Sequence, residues 1–266
     1  MRIRLALLIF ALALAAGCPR STPERPYPKP SAEALFSYLE TRNERAASLR
    51  AESIMDYWVG GERVRGTVLM MAEQGAKVRI NALSPAGDTV AADLACDGEW
   101  FSLIDYNADC QLTGPCDARS IGRLLRVWLE PDELLLLALG GVPLLPHDAM
   151  ALAWSGDRAA EELTLTAADG RVQRIYLQRS GDHWDVAAAT VDRPDGDREW
   201  ELENRDIQEL VADDGEVFRA PRRSRFQQPA ERADLAVRWQ EQEANLELNP
   251  AAFQMSIPEG LPPCSS

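Results

Sequence analysis

The stretch Lys77-Val78-Arg79-Ile80-Asn81-Ala82-Leu83, then Ser84-Pro85-Ala86-Gly87-Asp88, then Thr89-Val90-Ala91-Ala92-Asp93-Leu94-Ala95-Cys96 sets the fold class. Val78, Ile80 and Ala82 alternate with Lys77, Arg79 and Asn81, and Val90, Ala92, Leu94 and Cys96 alternate with their neighbours. A period of two is that of a strand with one apolar and one wet face, and Pro-Ala-Gly-Asp between two such runs is a hairpin signal.

Strand-like runs continue on both sides. Arg50 to Val59 and Arg63 to Met71 precede the hairpin, Trp100 to Tyr106 follows it, and Gly60-Gly61, Gln74-Gly75 and Asp97-Gly98 separate them. Upstream, Ser31 is placed to cap a helix in which Leu35, Phe36, Leu39, Ala46 and Leu49 recur near helical spacing, ending by about residue 48. Downstream the meander breaks for two helices. Ile121, Leu124, Leu125 and Trp128 fall at i, i+3, i+4 and i+7 opposite Arg119, Arg123 and Arg126. Pro131 then suits a first helical position and Gly140-Gly141 an end, with Leu134, Leu135, Leu136, Leu137 and Leu139 apolar almost all round.

Strands resume at Ala149 to Trp154, Glu162 to Ala167, Arg171 to Gln178, His183 to Val191, Glu199 to Glu203 and in two long segments between Asp234 and Ile257. The class is mainly β with α: a large curved antiparallel sheet whose concave apolar face is covered by helices.

The N-terminus carries an address. Arg2 and Arg4 precede an apolar run from Leu5 to Ala16 and then Gly17-Cys18, the pattern of a secretory signal. The run is too short for a spanning helix, which needs about 20 residues. Leu14-Ala15-Ala16-Gly17-Cys18 resembles the lipobox of bacterial lipoproteins, which implies cleavage before Cys18, diacylglyceryl on its sulfur and an acyl chain such as palmitate on its amino group. Residues 1–17 are the signal peptide, 18–30 a Pro-rich tether and 31–266 a single domain. Pro19 after the cysteine favours the outer membrane by the sorting rule of enteric lipoproteins.

A net charge of −14 argues against a nucleic-acid partner, because such binding neutralises phosphates. The basic cluster Arg219, Arg222, Arg223 and Arg225 reads as a solvated Pro-containing loop, with membrane-headgroup contact as the sharper reading. Four cysteines besides Cys18 suggest disulfides in an exported chain. The short Gln-Leu-Thr-Gly-Pro segment between Cys110 and Cys116 favours that pair first, leaving Cys96 with Cys264 by elimination.

Catalytic and metal signatures are missing. No Gly-x-Ser-x-Gly, His-Glu-x-x-His, P-loop or Cys-x-x-Cys occurs, and His147 and His183 read as surface polar residues. Asp192, Asp195 and Asp197 read as hairpin geometry, and the tryptophans at 58, 100, 128, 154, 184, 200 and 239 as core or barrel wall. The chain is expected to be no enzyme and to need no cofactor.

Three stretches resemble the bacterial lipoprotein-localisation family, LolA, LolB and LolB-like lipoproteins. They are Lys77 to Asp88 with Cys96-Asp97-Gly98-Glu99-Trp100, Ile121 to Pro143, and Leu248 to Gly260. The resemblance implies an unclosed antiparallel β-barrel with a helical lid over an apolar cavity that holds acyl chains. Cavity and lid candidates are Ile121, Leu124, Leu125, Trp128, Leu134, Leu135 and Leu137 with Val78, Ile80 and Leu94 on the sheet. Implied partners are acyl chains of lipoproteins or lipids, a periplasmic carrier protein, and a membrane held through Cys18 at the periplasmic face of the outer membrane. A module that bridges or senses envelope proteins on the same scaffold is the alternative. The hairpin tip Pro85, Ala86, Gly87 departs from LolB, which exposes a leucine there; Ala86 offers about a third of leucine's transfer free energy at ~25 cal/mol per Å².

Overall fold

The computed structural model describes residues 23–59, 62–84, 89–212 and 215–264. Cys18 and the tip Pro85, Ala86, Gly87 lie outside the described residues.

Helix α1 (Ala32–Arg45) starts where Ser31 Oγ accepts a hydrogen bond from the Ala34 amide at 3.1 Å, and it buries Leu35 and Leu39. Six strands follow: β1 (Ser48–Val59), β2 (Glu62–Glu73), β3 (Lys77–Leu83), β4 (Val90–Asp97), β5 (Trp100–Asp105) and β6 (Cys110–Pro115). Helices α2 (Ala118–Leu125) and α3 (Pro131–Ala138) interrupt the meander. It resumes as β7 (Ala149–Ser155), β8 (Ala160–Thr166), β9 (Val172–Ser180), β10 (His183–Asp192), β11 (Arg198–Val211), β12 (Val217–Gln228) and β13 (Ala233–Ala244).

These 13 strands form one antiparallel sheet in which β1 pairs with β13, so the two meanders join at the centre and β6 and β7 are left as edges. The barrel is therefore unclosed, as expected. The alternation works as read: Val78 and Ile80 of β3 and Leu94 and Cys96 of β4 point into the core, together with Leu163, Leu165, Ile175 and Leu177 from the second meander.

Several sequence expectations change. Cys110 and Cys116 do not pair. The chain between them is strand β6, and an extended stretch of that length holds their Cα atoms roughly 20 Å apart, beyond the ~7 Å a disulfide allows. The disulfides are Cys96–Cys116, with Cα atoms 5.6 Å apart, and Cys110–Cys264, at 4.8 Å. The second straps the C-terminal segment along the β6 edge, where Gln111 N donates to Pro262 O and Cys264 N donates to Gln111 O.

Arg219 to Arg225 belong to β12 and not to a loop. Pro221, opposite Ile207 of β11, is tolerated there because β12 pairs with β13 only from Arg223 to Gln228, so on that side no ladder bond is lost. The cluster is also dispersed: Arg219 pairs with buried Asp185 at 2.7 Å, Arg223 with Asp206 at 2.6 Å and Arg225 with Asp234 at 2.6 Å. Beyond Ala244 the second long strand is absent; a 3₁₀ turn over Pro250–Phe253 instead buries Phe253 beside β3 and β4, and Arg79 donates to the carbonyls of Ala252 and Gln254.

Beyond Arg223, then, β12 and β13 diverge. The gap is bridged by the turn after α3, where Gly140 adopts φ +76°. A Cβ on Gly140 would lie 2.6 Å from Arg219 O, 2.7 Å from Arg42 Nη2 and 3.1 Å from Pro221 Cδ. Gly196 has a similar φ of +89° with nothing within 4 Å of an added Cβ. Gly140→Ala should therefore cost about 2–4 kcal/mol in urea unfolding, against ~1 kcal/mol for Gly196→Ala. Equal losses would mean that the close approach at Gly140 contributes nothing.

Candidate functional site

The concave face and its helical cover form the candidate site. Helix α2 begins at Asp117, whose carboxylate accepts from the amides of Arg119 and Ser120, and it presents Ile121, Leu124 and Leu125 inward while Arg119 and Arg123 face water. It stops at Leu125 because Arg126 turns into the left-handed region at φ 59°. Trp128 is therefore not the last residue of an apolar helical stripe. It sits in the linker to α3, 39% exposed, with its ring over Gly122. Trp100, 57% exposed, is likewise no wall residue.

Helix α3 is opened by Pro131 and a capping box in which Glu133 Oε2 accepts from the Glu130 amide at 2.9 Å. Leu134, Leu135 and Leu137 are buried against the sheet, as are Val78, Ile80 and Leu94 beneath the helical cover. The structure thus gathers nine of the ten cavity candidates into one cluster, packed on one another. Clefts of about 200–450 Å³ open on the described surface; the one of about 200 Å³ borders the cover, lined by Glu133, Pro143, Leu145, Gln173 and Trp200, and none of these clefts is lined by the nine buried candidates. The concavity is filled by the protein's own side chains.

The ends of the cover are pinned over this apolar contact by side-chain hydrogen bonds. Gln228, from β12, makes a two-way clamp on the linker: Trp128 N donates to its Oε1 at 2.8 Å and its Nε2 donates to Trp128 O at 2.9 Å. Gln173, wholly buried in β9, clamps the exit in the same way, accepting from Leu145 N at 2.8 Å and donating to Pro143 O at 2.7 Å. Gln242 of β13 donates to Ala138 O at 2.8 Å and accepts from Gln208 of β11 at 2.8 Å, across the gap between β12 and β13. From α1, Asn43 donates to Val142 O at 2.8 Å, and Arg42 donates to Leu139 O at 3.2 Å, to Trp184 O at 3.1 Å and to Arg219 O. Desolvation lowers the Arg42 pKa, opposed by the charges of Tyr38 and Asp185.

None of these clamping residues is among the cavity and lid residues expected from the sequence. A signal existed: Gln173 lies in phase with Ile175 and Leu177, and Gln228 with Phe226, so each is a polar residue at an inward position.

Among the described residues no group of three or more His, Cys, Asp or Glu is arranged to hold a metal, and no helix is long and apolar enough to cross a membrane. His147 is half-buried, edge-on to Phe36 at 4.7 Å; His183 is exposed. Asp195 accepts from the Asp197 amide as turn geometry requires, while Asp192 instead pairs with Arg174 and Arg198, each at 2.5 Å.

Solved structures with this architecture are similar at low identity. A DUF1329 family protein from Desulfovibrio piger aligns with a TM-score of 0.51 and 12% identity over 85% of this chain and 98% of its own. A LolA superfamily protein from Nitrosomonas europaea aligns with a TM-score of 0.51 and 9% identity over 83% and 97%. A domain named for outer-membrane lipoprotein sorting, from Vibrio parahaemolyticus, aligns with a TM-score of 0.51 and 9% identity over 84% and 97%. The likeness is one of fold. No protein-family model matches the chain, and neither does any curated protein.

Glu133 gives the cover a pH dependence. Burial raises its pKa, against the lowering effect of the Glu130 amide. The folded protein thus binds this proton more tightly than the unfolded chain does, so ionised Glu133 costs stability above its raised value and nothing below the unfolded one. Glu133→Gln, which keeps the capping acceptor, should raise the urea midpoint at pH 7–8, and the gain should vanish as pH falls through the Glu133 transition. A gain that persists in acid would assign the effect to something other than this proton.

Proposed function

We propose that this is a non-enzymatic, lipid-anchored protein of the bacterial envelope that shelters acyl chains of a lipoprotein or similar amphiphile between the concave sheet face and helices α2 and α3. Cys18 is the lipid attachment site, and the outer membrane is the location. One observation carries the reading: the apolar face of the sheet is roofed by two short helices held at their ends by side-chain clamps, not closed by further strands. Such a roof can leave as a unit and expose an apolar trough lined by Val78, Ile80 and Leu94. The fold shared with a domain named for lipoprotein sorting supports the same cargo class. A soluble periplasmic carrier is then the source of that cargo, and this chain a stationary acceptor.

The filled concavity favours a second reading, in which the same scaffold bridges or senses envelope proteins without carrying lipid. Mass spectrometry of the Cys18→Ser protein, purified without detergent, separates the two. The carrier reading expects bound acyl lipid approaching one molecule per chain, lost when Leu135 and Leu137 are made polar. Lipid-free protein that retains one stable protein partner in both forms would replace it with the second reading.

A further inference from the structure

The segment between the expected lipid site and α1 is not a free tether over its second half. The Arg25 guanidinium makes a two-point ion pair with Glu161 of β8, at 2.5 and 3.0 Å, and the Glu161 side chain is completely buried. Removing the arginine would strand an uncompensated buried carboxylate, a costly change. Two residues on, the Tyr27 ring stands edge-on to Trp154 at 6.0 Å and to Trp184 at 5.3 Å. Trp154 Nε1 donates to Pro23 O at 2.7 Å. Residues 23–27 are therefore fastened to the rim of the sheet where β7 turns into β8 and β9 into β10.

That fastening shortens the leash. Five residue steps separate Cys18 from Pro23, and a fully extended chain of that length spans at most about 18 Å. A tether free up to residue 30 would allow about 40 Å. With lipid on Cys18, the docked rim is held beside the headgroups.

The rim's chemistry suits that position. Arg25 lies 5.5 Å over the ring of Trp154, Arg179 lies 5.1 Å over Tyr27 and 5.9 Å over Trp184, and Arg158 lies 4.5 Å over Tyr176. The aromatic rings are half-buried, and Arg158 and Arg179 are exposed. Amphipathic rings with arginines beside them match the headgroup zone; because Arg25 is paired with Glu161 and the exposed Asp157 and Asp182 of the same turns offset Arg158 and Arg179, the match rests on the rings and not on net charge.

We propose that this rim, formed by residues 23–27 with the β7–β8 and β9–β10 turns, is the surface the protein lays on a lipid bilayer. The proposal rests on lipidation of Cys18. It also has a consequence for the facing ends of β3 and β4. In an alternating antiparallel meander, Ser84 and Thr89 stand on the opposite rim, away from the membrane while residues 23–27 stay docked.

The test uses the mature lipidated protein in phosphatidylethanolamine–phosphatidylglycerol vesicles carrying an acceptor dye on the headgroups. A donor is attached at Asp182→Cys in the β9–β10 turn or, on the opposite rim, at Asp195→Cys, so that both labels remove the same charge; the other four cysteines are paired in disulfides. Energy transfer should be several-fold greater from position 182, and Arg25→Ala should narrow the difference while the circular dichroism spectrum is unchanged. Equal transfer from the two positions, in protein whose Cys18 peptide carries the diacylglyceryl mass, would overturn the orientation alone. Absence of that mass would overturn the anchoring reading itself.

Discussion

The arrangement depends on how one gap in the sheet is closed. β12 and β13 pair only between Arg223–Gln228 and Ala233–Arg238, then part, β12 continuing beside β11 and β13 beside β1. A sheet that splits leaves backbone groups without partners, and buried ones must be satisfied. Arg42 meets that need from α1. Its planar guanidinium donates to the carbonyl of Arg219 on the diverging strand, to Leu139 at the end of α3, and to Trp184 on β10. One cation therefore ties the first helix, the roof and the second meander together, and Gly140 is required because no side chain fits beside it. Nearby Arg219 is occupied by Asp185, which raises its pKa and neutralises the pair that Arg42 approaches.

Magnitudes decide whether a filled concavity excludes a carrier. Burial of Leu134, Leu135 and Leu137 on α3 and of Ile121, Leu124 and Leu125 on α2 is worth roughly 9–18 kcal/mol in total, and the clamping hydrogen bonds add about 1 kcal/mol each. A single sixteen-carbon chain, at about 0.8 kcal/mol per methylene, brings roughly 12 kcal/mol, and the two chains of a diacylglyceryl group roughly 24 kcal/mol. One acyl chain therefore falls short of the roof, and a diacylglyceryl pair is its near equivalent for the same apolar face. None of the clamping bonds is a ladder bond of the sheet, so an exchange between roof and acyl chains can leave the strand pairing in place. What the exchange must break, besides the apolar contact, is a small set of side-chain-to-backbone bonds made by Gln173, Gln228, Gln242, Asn43, Arg42 and Asp132, the last accepting from Ala76 N at 2.9 Å.

The architecture was legible because its main signals are periodic. Val78, Ile80, Leu94 and Cys96 declare a one-sided sheet, Ile121, Leu124 and Leu125 a one-sided helix, and Pro131 with Gly140-Gly141 the limits of another. What stayed hidden are features set by pairing at a distance. β6 reads as a turn because Gly114 and Pro115 are turn residues, yet an edge strand accepts them. β12 reads as a loop because Pro221 breaks strands, and only the parting of β12 from β13 makes that position harmless. The disulfides follow from β6 being extended, so the error in the strand carried over to the cysteines. The roof clamps are glutamines, an asparagine and an arginine whose partners are backbone atoms 28 to 177 residues away, a separation no local pattern records. Trp128 shows the same limit on a smaller scale: helical spacing continues through it, but the chain has already reversed at Arg126.

Amide hydrogen exchange addresses the central claim, that α2 and α3 form a roof which leaves as a unit when acyl chains take its place. The amides of Leu124, Leu125 and Leu134 to Ala138 should exchange slowly in the free protein. On addition of a diacylglyceryl peptide they should speed up together, while those of β1, β2 and β13 stay protected. Unchanged protection in α2 and α3 at saturating lipopeptide, or loss of protection spread evenly through the sheet, would contradict the account.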